Sequence, residues 1–210
     1  NVKDVVMVGP VRRPSILTVF PDWRGIKFLA RAGMRALGGD NSLLAAIAEE
    51  FEREGFNIVG VDDLIEGLLA PDGFFGRVRP SEQALEFVRN GIKEAQSLGQ
   101  RDIGQAVVML GKHIVGVEDR NGTDDLIRRC RNQISNNNKL ILVKTKKPGQ
   151  DRRVDLPTIG VQTVQLAAEC GFSGIVVEAG QTLVIDMPTV TKIADRNALF
   201  VVGVSLTDDL

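Results

Sequence analysis

The stretch QAVVMLGKHIVGVE, residues 105–118, decides the fold of this chain. Two apolar runs flank Gly111-Lys112, which is the pattern of two strands joined by a tight turn. A helix is predicted next, at about 123–133, with Thr123 as its N-cap. The strand KLILVKT (139–145) follows. This hairpin–helix–strand unit predicts a mixed α/β domain whose sheet is partly antiparallel.

A second stretch repeats the same order of elements. The segment GIVVEAGQTLVID (174–186) predicts two strands about a turn at Gly180, which aligns with Gly111. A helix at about 188–197 and the strand LFVVGV (199–204) follow. An internal duplication and two instances of a common supersecondary unit both remain open. Either alternative argues against a purely doubly wound Rossmann sheet here.

The first hundred residues predict a simpler series of elements. Strands are predicted at 1–8 and 56–61, and helices at 25–37 and 81–98. Another helix is predicted between them, with Asp40, Asn41 or Ser42 as its N-cap and Gly55 just past its end. Prolines and glycines make 9–25 and 62–80 irregular.

Composition excludes several classes of protein. The net charge of −1 and pI of about 6.0 lack the basic excess of a nucleic-acid binder. No apolar run approaches the roughly 20 residues that span a bilayer. Cys130 and Cys170 imply no disulfide framework and are interpreted as core residues of a protein from a reducing compartment. His113 is the only histidine, which argues against zinc. No GxGxxG, Walker A or GxSxG motif is present.

The chemistry is predicted to lie in KTKKPGQDRRVDLPTIG, residues 144–160. Its first ten residues set five cations against one acid, Asp151. Lysine and arginine provide charge-assisted hydrogen bonds, so a phosphate site is predicted; a solvated basic loop is the alternative. Asp155 precedes a predicted helix start, with Pro157 in the first turn and Thr158 as cap.

Helix N-termini attract anions, so carboxylate, guanidinium groups and backbone N–H groups are expected to converge near Asp155. The functional hypothesis is that Asp155 binds a divalent cation while the cationic side chains bind phosphate. The alternative is that Asp155 is a second capping residue. Further carboxylates that could complete a magnesium site are Asp102, Glu118, Asp124 and Glu178.

Several of these motifs resemble one known family. RDIGQ (101–105), VEDRNGTDDLIRR (117–129), KPGQDRRVDLPTIG (147–160) and EAG (178–180) look like, in order and spacing, the C-terminal half of the LpxI-type UDP-2,3-diacylglucosamine pyrophosphatases. The segment from Lys27 to Phe56 is similar to that family's helical segment after its interdomain linker. The resemblance covers nearly the whole chain, and RVDLPTIG is its most specific motif.

The resemblance implies two domains, of which the first is Rossmann-like and expected to be mostly lacking here. It assigns 1–14 to the last strand of that truncated domain, 15–25 to a linker and 26–210 to the C-terminal catalytic domain. Pro10 departs from the family, which often has Asn there, and this puts any interdomain contact of that Asn in doubt.

The resemblance also implies an activity. These enzymes use magnesium to hydrolyse UDP-2,3-diacylglucosamine to UMP and 2,3-diacylglucosamine 1-phosphate (lipid X) in bacterial lipid A biosynthesis, and water attacks the phosphorus on the UMP side. By motif match Asp155 is the essential aspartate, and Asp124 is expected to share the metal. Expected substrate contacts are Lys147, Gln150, Arg152, Arg153, Thr158, Gln105, Thr123, Asp124 and Glu178.

The expected location is cytoplasmic, peripheral to the inner membrane, with a nucleotide-linked lipid as ligand and no nucleic acid. A homodimer is compatible with the sequence. Candidates for an apolar trough are Phe74-Phe75 and the segment 16–28, although both could simply pack between domains. Two rival functions remain: a non-catalytic nucleotide- or phosphate-binding module and, disfavoured by the missing glycine fingerprint, a Rossmann oxidoreductase.

Overall fold

The computed structural model describes residues 2–9, 21–33, 40–101, 103–133 and 140–206. The chain divides into two compact units. Unit 1 consists of Asn1–Glu66 and Gln150–Leu156, and unit 2 of Gly67–Gly149 and Pro157–Leu210. This division falls near residue 66 rather than at the predicted boundary near residue 26, because the helices and strands before residue 66 pack among themselves.

Unit 1 is built from short strands and three helices. The strands are β1 (Asp4–Val5) and β2 (Asn57–Ile58), which pair in parallel, and the helices are α1 (Trp23–Ala32), α2 (Asp40–Arg53) and α3 (Val61–Leu64). The predicted strands and helices are confirmed here with shifted ends, and α3 lies in a stretch predicted as irregular.

The first helix begins inside the segment that was predicted to be a linker. The Asp22 carboxylate caps α1 by accepting a 2.7 Å hydrogen bond from the Gly25 N–H, which explains a start at Trp23. Residues 15–20 of the predicted linker lie outside the described part of the chain.

Unit 2 contains the main sheet. Its strands are β3 (Gly73–Phe74), β4 (Ala106–Leu110), β5 (His113–Val117), β6 (Leu140–Lys144), β7 (Thr158–Gly160), β8 (Phe172–Glu178), β9 (Leu183–Ile185) and β10 (Phe200–Val204). Its helices are α4 (Glu82–Gln100), α5 (Gly122–Cys130), α6 (Val161–Glu169) and α7 (Met187–Arg196).

The six-stranded sheet has the order β3-β10-β8-β6-β4-β5. Strands β10, β8 and β6 are parallel, whereas β4, β5 and β3 join antiparallel. Successive side chains point to opposite faces, so the sheet has two cores. Val107 and Ile141 pack with α4 on one face, and Val108 and Leu142 pack with α5, α6 and α7 on the other. The predicted mixed α/β fold class is confirmed.

The two predicted hairpin–helix–strand units have different outcomes. The first is confirmed, since β4 and β5 pair about Gly111 and α5 and β6 follow. In the second, the two strands about Gly180 do not form a hairpin: β8 joins the main sheet, and β9 pairs in parallel with β7. The sequence pattern predicts both strands correctly, but the predicted pairing of β9 with β8 is wrong.

The helix predicted to begin at Thr158 begins later. Thr158–Gly160 is strand β7, held by its pairing with β9 and by the 2.8 Å hydrogen bond from Leu183 N–H to Pro157 O. Ile159 is completely buried in this strand. The helix α6 therefore starts at Val161, and Thr158 is not its N-cap. Thr123 is not an N-cap either, because α5 begins at Gly122.

Candidate active site

Several polar residues of unit 2 lie at the edge of the main sheet that is formed by the carboxyl ends of β6 and β8. Strands β6 and β8 run in parallel, with Lys144 opposite Val177, so their carboxyl ends lie side by side. The antiparallel β4 begins there, with Ala106 opposite Lys144, and β5 ends there. Ligand sites of α/β proteins commonly lie outside the carboxyl ends of parallel strands. Gln105 and Glu118 are brought to this edge by the hairpin.

A hydrogen-bonded chain crosses this edge. Glu118 is 7% exposed, and its Oε2 accepts from the Gln105 N–H at 3.2 Å, while its Oε1 accepts from the Thr123 hydroxyl at 2.5 Å. The ammonium of Lys144, a residue 6% exposed, donates to Thr123 Oγ1 at 2.9 Å and to the Thr158 carbonyl at 3.3 Å. A buried anion and a buried cation are thus joined through one hydroxyl. Both oxygens of Glu118 thus accept hydrogen bonds.

Glu178 lies at the end of β8, beside the segment that leaves β6. Its Oε2 accepts from the Lys146 N–H at 2.8 Å, and the Lys146 ammonium donates to Gln181 Oε1 at 3.2 Å. Burial raises the pKa of Glu178, and the hydrogen bond and charge of Lys146 partly oppose that rise. Two buried oxygens at this edge, Gln105 Oε1 and Thr145 Oγ1, have no hydrogen-bond partner among the described residues.

The arginines of the basic segment are paired within unit 1. Arg152 pairs with Asp62. Arg153 binds Asp151 in a bidentate manner, with Nε 3.0 Å from Oδ1 and Nη2 2.7 Å from Oδ2, and its Nη1 lies 2.6 Å from Glu52 Oε1. The hydrogen bonds to Asp151 and Glu52 raise the pKa of the Arg153 guanidinium further above its usual range. The arginine charges of the basic segment are thus largely balanced by carboxylates.

Asp155 follows a turn in this segment. The N–H groups of Val154 and Asp155 donate to the Asp151 carbonyl at 3.1 and 3.0 Å, and Asp155 is half-buried. The helix predicted immediately after it begins only at Val161, with Gly160 as N-cap. The expectation that a helix N-terminus reinforces the anion site at Asp155 is therefore wrong.

The structure brings only some of the predicted site residues together. Gln105, Thr123 and Thr158 meet in the chain through Glu118 and Lys144, and Glu178 lies at the same sheet edge. Asp124 is half-buried in the first turn of α5. The remaining predicted contacts lie along the segment after β6: Lys147 in unit 2, and Gln150, Arg152 and Arg153 in unit 1.

The structure gives two residues roles that the sequence does not predict. The sequence presents Lys144 as one charge of a basic run and Glu118 as a metal candidate. The signal for Lys144 was its position: it ends the buried strand LILVK, so alternation and burial continue through it. Asp102 lies outside the described residues.

The described residues contain no group of three histidine, cysteine or acidic side chains that could hold a metal ion by themselves. His113 is exposed on β5. Both cysteines are buried, as predicted, and burial raises the pKa of the Cys130 thiol. Among the described residues, no helix is long and apolar enough to cross a bilayer.

Comparison with known proteins identifies the family. The LpxI C-terminal domain matches residues 71–202, and the LpxI N-terminal domain matches residues 1–68. The UDP-2,3-diacylglucosamine pyrophosphatase LpxI of Caulobacter vibrioides is 38% identical over 206 residues, which are 95% of this chain and 74% of that protein. The expectation that the N-terminal domain is mostly lacking is wrong, since residues 1–68 match its model. The chain belongs to the LpxI family.

Proposed function

We propose that this protein hydrolyses the pyrophosphate bond of UDP-2,3-diacylglucosamine, giving UMP and 2,3-diacylglucosamine 1-phosphate for lipid A biosynthesis. The observation that carries the proposal is the match of residues 71–202 to the LpxI C-terminal domain, which includes Asp155 and its motif RVDLPTIG. The name of the Caulobacter relative supplies the substrate. The polar edge of unit 2 and the basic segment supply charges that suit a diphosphate.

Magnesium is the proposed cofactor, held by Asp155 and Asp124. Magnesium takes one or two protein carboxylates and completes its shell with water and substrate phosphate. Both side chains are half-buried carboxylates, which are oxygen ligands of the kind that magnesium takes. When bound, the ion would withdraw charge from the phosphoryl oxygens.

In the proposed reaction, a water oxygen bonds to the phosphorus on the UMP side. The bond from that phosphorus to the bridging oxygen breaks, and the bridging oxygen leaves with the sugar 1-phosphate. Lys147, Arg152 and Arg153 would offset the charge that develops on the diphosphate. Arg152 and Arg153 also pair with carboxylates of unit 1. The other proposed substrate contacts are Gln105, Thr123, Asp124, Gln150, Thr158 and Glu178.

Peripheral contact with an anionic inner-membrane surface from the cytoplasmic side completes the proposal. In α1, Trp23 is 77% exposed, Ile26 49% and Leu29 43%, and none of the helix's residues is buried. Basic side chains alternate with them at Arg24 and Lys27. Helices that combine an aromatic and aliphatic face with lysine and arginine bind interfaces of anionic lipid.

A groove beside α1 is the best candidate to receive acyl chains. It measures about 620 Å³ and lies between α1 and α2, lined by aromatic and aliphatic groups that include Phe28, Phe51 and Phe56. The earlier candidates Phe74 and Phe75 pack instead against the two cores of unit 2.

The proposal is tested by assaying the protein with UDP-2,3-diacylglucosamine and detecting UMP, with magnesium and with a chelator. Asp155→Asn keeps the size of the side chain and removes its charge. We expect a loss of at least about 100-fold in kcat. Asp125→Asn is the matched control: its side chain is 37% exposed and pairs with Arg129, so this variant should retain activity.

Unchanged turnover by Asp155→Asn would remove Asp155 from the mechanism. If the wild-type protein binds UMP but releases none from the substrate, the protein is the nucleotide-binding module considered as the alternative.

A further inference from the structure

The segment that carries Asp155 is a loop with a fixed base. Strand β6 ends at Lys144 and β7 begins at Thr158, so residues 145–157 connect them, and Gln150–Leu156 within this loop belong to unit 1. The Lys144 side chain bridges the base, because its ammonium lies 3.3 Å from the Thr158 carbonyl oxygen. This contact joins the last residue of β6 to the first residue of β7.

The direction of the hydrogen bonds in this base is determined by chemistry. An ammonium only donates and a carboxylate only accepts, so the hydroxyl between them must accept from Lys144 and donate to Glu118. The observed distances, 2.9 Å from Lys144 Nζ to Thr123 Oγ1 and 2.5 Å from Thr123 Oγ1 to Glu118 Oε1, match this order. Because the Thr123 hydroxyl accepts from Lys144 and donates to Glu118, it restricts the position of the Lys144 ammonium.

The burial of the two charges makes the hydroxyl necessary. Lys144 is 6% exposed and Glu118 is 7% exposed. A buried charge without a compensating partner is costly, and hydrogen bonds inside a low-dielectric region are strengthened. Glu118 is itself fixed, because its second oxygen accepts from the Gln105 N–H at 3.2 Å. The rigid hairpin thus determines where the Lys144 ammonium lies.

We propose that Glu118 and Thr123 are positioning residues that act through Lys144: they hold its ammonium against the Thr158 carbonyl and so fix the base of the loop that carries Asp155. The catalytic consequence depends on the proposed function of Asp155. The structural consequence, an ordered loop base, does not. Neither residue needs to touch the substrate for this role.

The test compares Thr123→Val, which keeps the shape and removes the hydroxyl, with Thr123→Ser, which keeps the hydroxyl. We expect Thr123→Val to lower kcat by about 10- to 100-fold with KM changed less than about twofold, because misplacement of a catalytic group by about 1 Å has costs of this size. Thr123→Ser should restore kcat to within about threefold of the wild-type value. A raised KM with wild-type kcat in Thr123→Val would assign Thr123 to substrate contact alone, and that result would overturn the proposal.

Hydrogen–deuterium exchange without substrate provides a readout independent of activity. Amides of peptides covering 145–157 should exchange faster in Thr123→Val than in the wild type and Thr123→Ser, while peptides of β8 and β10 stay unchanged. Equal exchange in all three proteins would overturn the proposal. Faster exchange in a protein that never hydrolyses the substrate would support the fixed loop base and refute the proposed function.

Lys144→Gln provides a second route if Thr123→Val does not fold. Its side chain is uncharged and one atom shorter, so it cannot keep both the hydrogen bond to Thr158 and the one to Thr123. We expect the same selective increase in exchange in 145–157 and the same fall in kcat. Normal exchange and normal kcat in Lys144→Gln would contradict the proposal.

Discussion

The carboxylate of Asp62 pairs with the guanidinium of Arg152, which lies 90 positions later in the chain. The Asp62 side chain is only 2% exposed, whereas that of Arg152 is 45% exposed. Arg152 binds Asp62 Oδ2, and Asp62 Oδ1 has no hydrogen-bond partner among the described residues. Within unit 1, one end of α3 is therefore neutralised by the segment that carries Asp155. Arg152, which is predicted to bind phosphate, therefore also stabilises unit 1 through its ion pair with Asp62.

Replacing Arg152 should destabilise unit 1. Arg152→Met leaves the Asp62 carboxylate buried without its counter-charge, and we expect a loss of about 2 kcal/mol in the free energy of unfolding, less than for a fully buried pair because the arginine is half-exposed. Urea unfolding followed by circular dichroism measures this loss. Adding Asp62→Asn should recover most of it, because the amide carries no charge.

The same pair of variants separates stability from substrate binding. If Arg152 also contacts the diphosphate, the double variant Arg152→Met with Asp62→Asn should remain stable but show a raised KM. A double variant with wild-type KM would restrict Arg152 to its structural role.

Glu178 should make stability depend on pH. Its folded-state pKa is raised, chiefly by burial, so the folded protein holds this proton at pH values where the unfolded chain has lost it. Its contribution to stability is present below the unfolded pKa and is lost as pH rises through the folded pKa. Glu178→Gln keeps an oxygen for the Lys146 N–H and should flatten this decline. Urea unfolding from pH 4 upward measures both slopes, and equal slopes would contradict the assignment.

Gly174 should tolerate no side chain. It lies opposite Phe200 on the neighbouring strand, and a Cβ there would stand 2.0 Å from Phe200 Cζ, within the core. We expect Gly174→Ala to cost about 1–3 kcal/mol, because overpacking forces side chains and backbone to shift. Gly160→Ala is the control, since its Cβ would meet its nearest neighbour, Ile185 Cβ, at 3.5 Å. Thermal unfolding of both variants would show the difference, and equal melting temperatures would argue against close packing at Gly174.

Trp23 offers a direct test of membrane contact because it is the only tryptophan in the sequence. Its side chain is exposed, so its fluorescence should shift to shorter wavelength when vesicles of anionic phospholipid are added. Neutral phosphatidylcholine vesicles are the control and should produce a smaller shift. Replacing Arg24 and Lys27 by glutamine should weaken the shift, and an effect independent of lipid charge would contradict electrostatic docking.

Local patterns were enough to predict most elements of unit 2. The hairpin about Gly111 can be predicted from local sequence, because both strands and the turn are contiguous. The partner of β9 could not be predicted in this way. Its three residues pair with Thr158–Gly160, a segment separated from it by α6 and β8, and nothing within either segment specifies the other. The choice is made by tertiary packing.

The candidate site shows the same limit. Lys144, Arg152 and Arg153 are recognisable as cations in the sequence. However, Lys144 is linked to Glu118 through Thr123, and the arginines pair with Asp62 and Glu52, all of which are distant in sequence. Whether a charge is free for a ligand or balanced within the fold is a property of three-dimensional pairing. The misplaced helix start has a related cause: Pro157-Thr158 suits a helix N-terminus locally, yet the hydrogen bond from Leu183 and the pairing with β9 commit it to a strand.

Because unit 1 is discontinuous in sequence, exchange of one domain by recombination would separate residues that pair within it. Residues 150–156 are encoded within the stretch for unit 2, although they belong with Asn1–Glu66. A recombination event at residue 66 that exchanged one domain for a homologous one would separate Asp62 from Arg152 and Glu52 from Arg153. In such a hybrid, each of these charged residues would come without its present ion-pair partner. The two pairs, Asp62 with Arg152 and Glu52 with Arg153, should therefore be exchanged together or not at all.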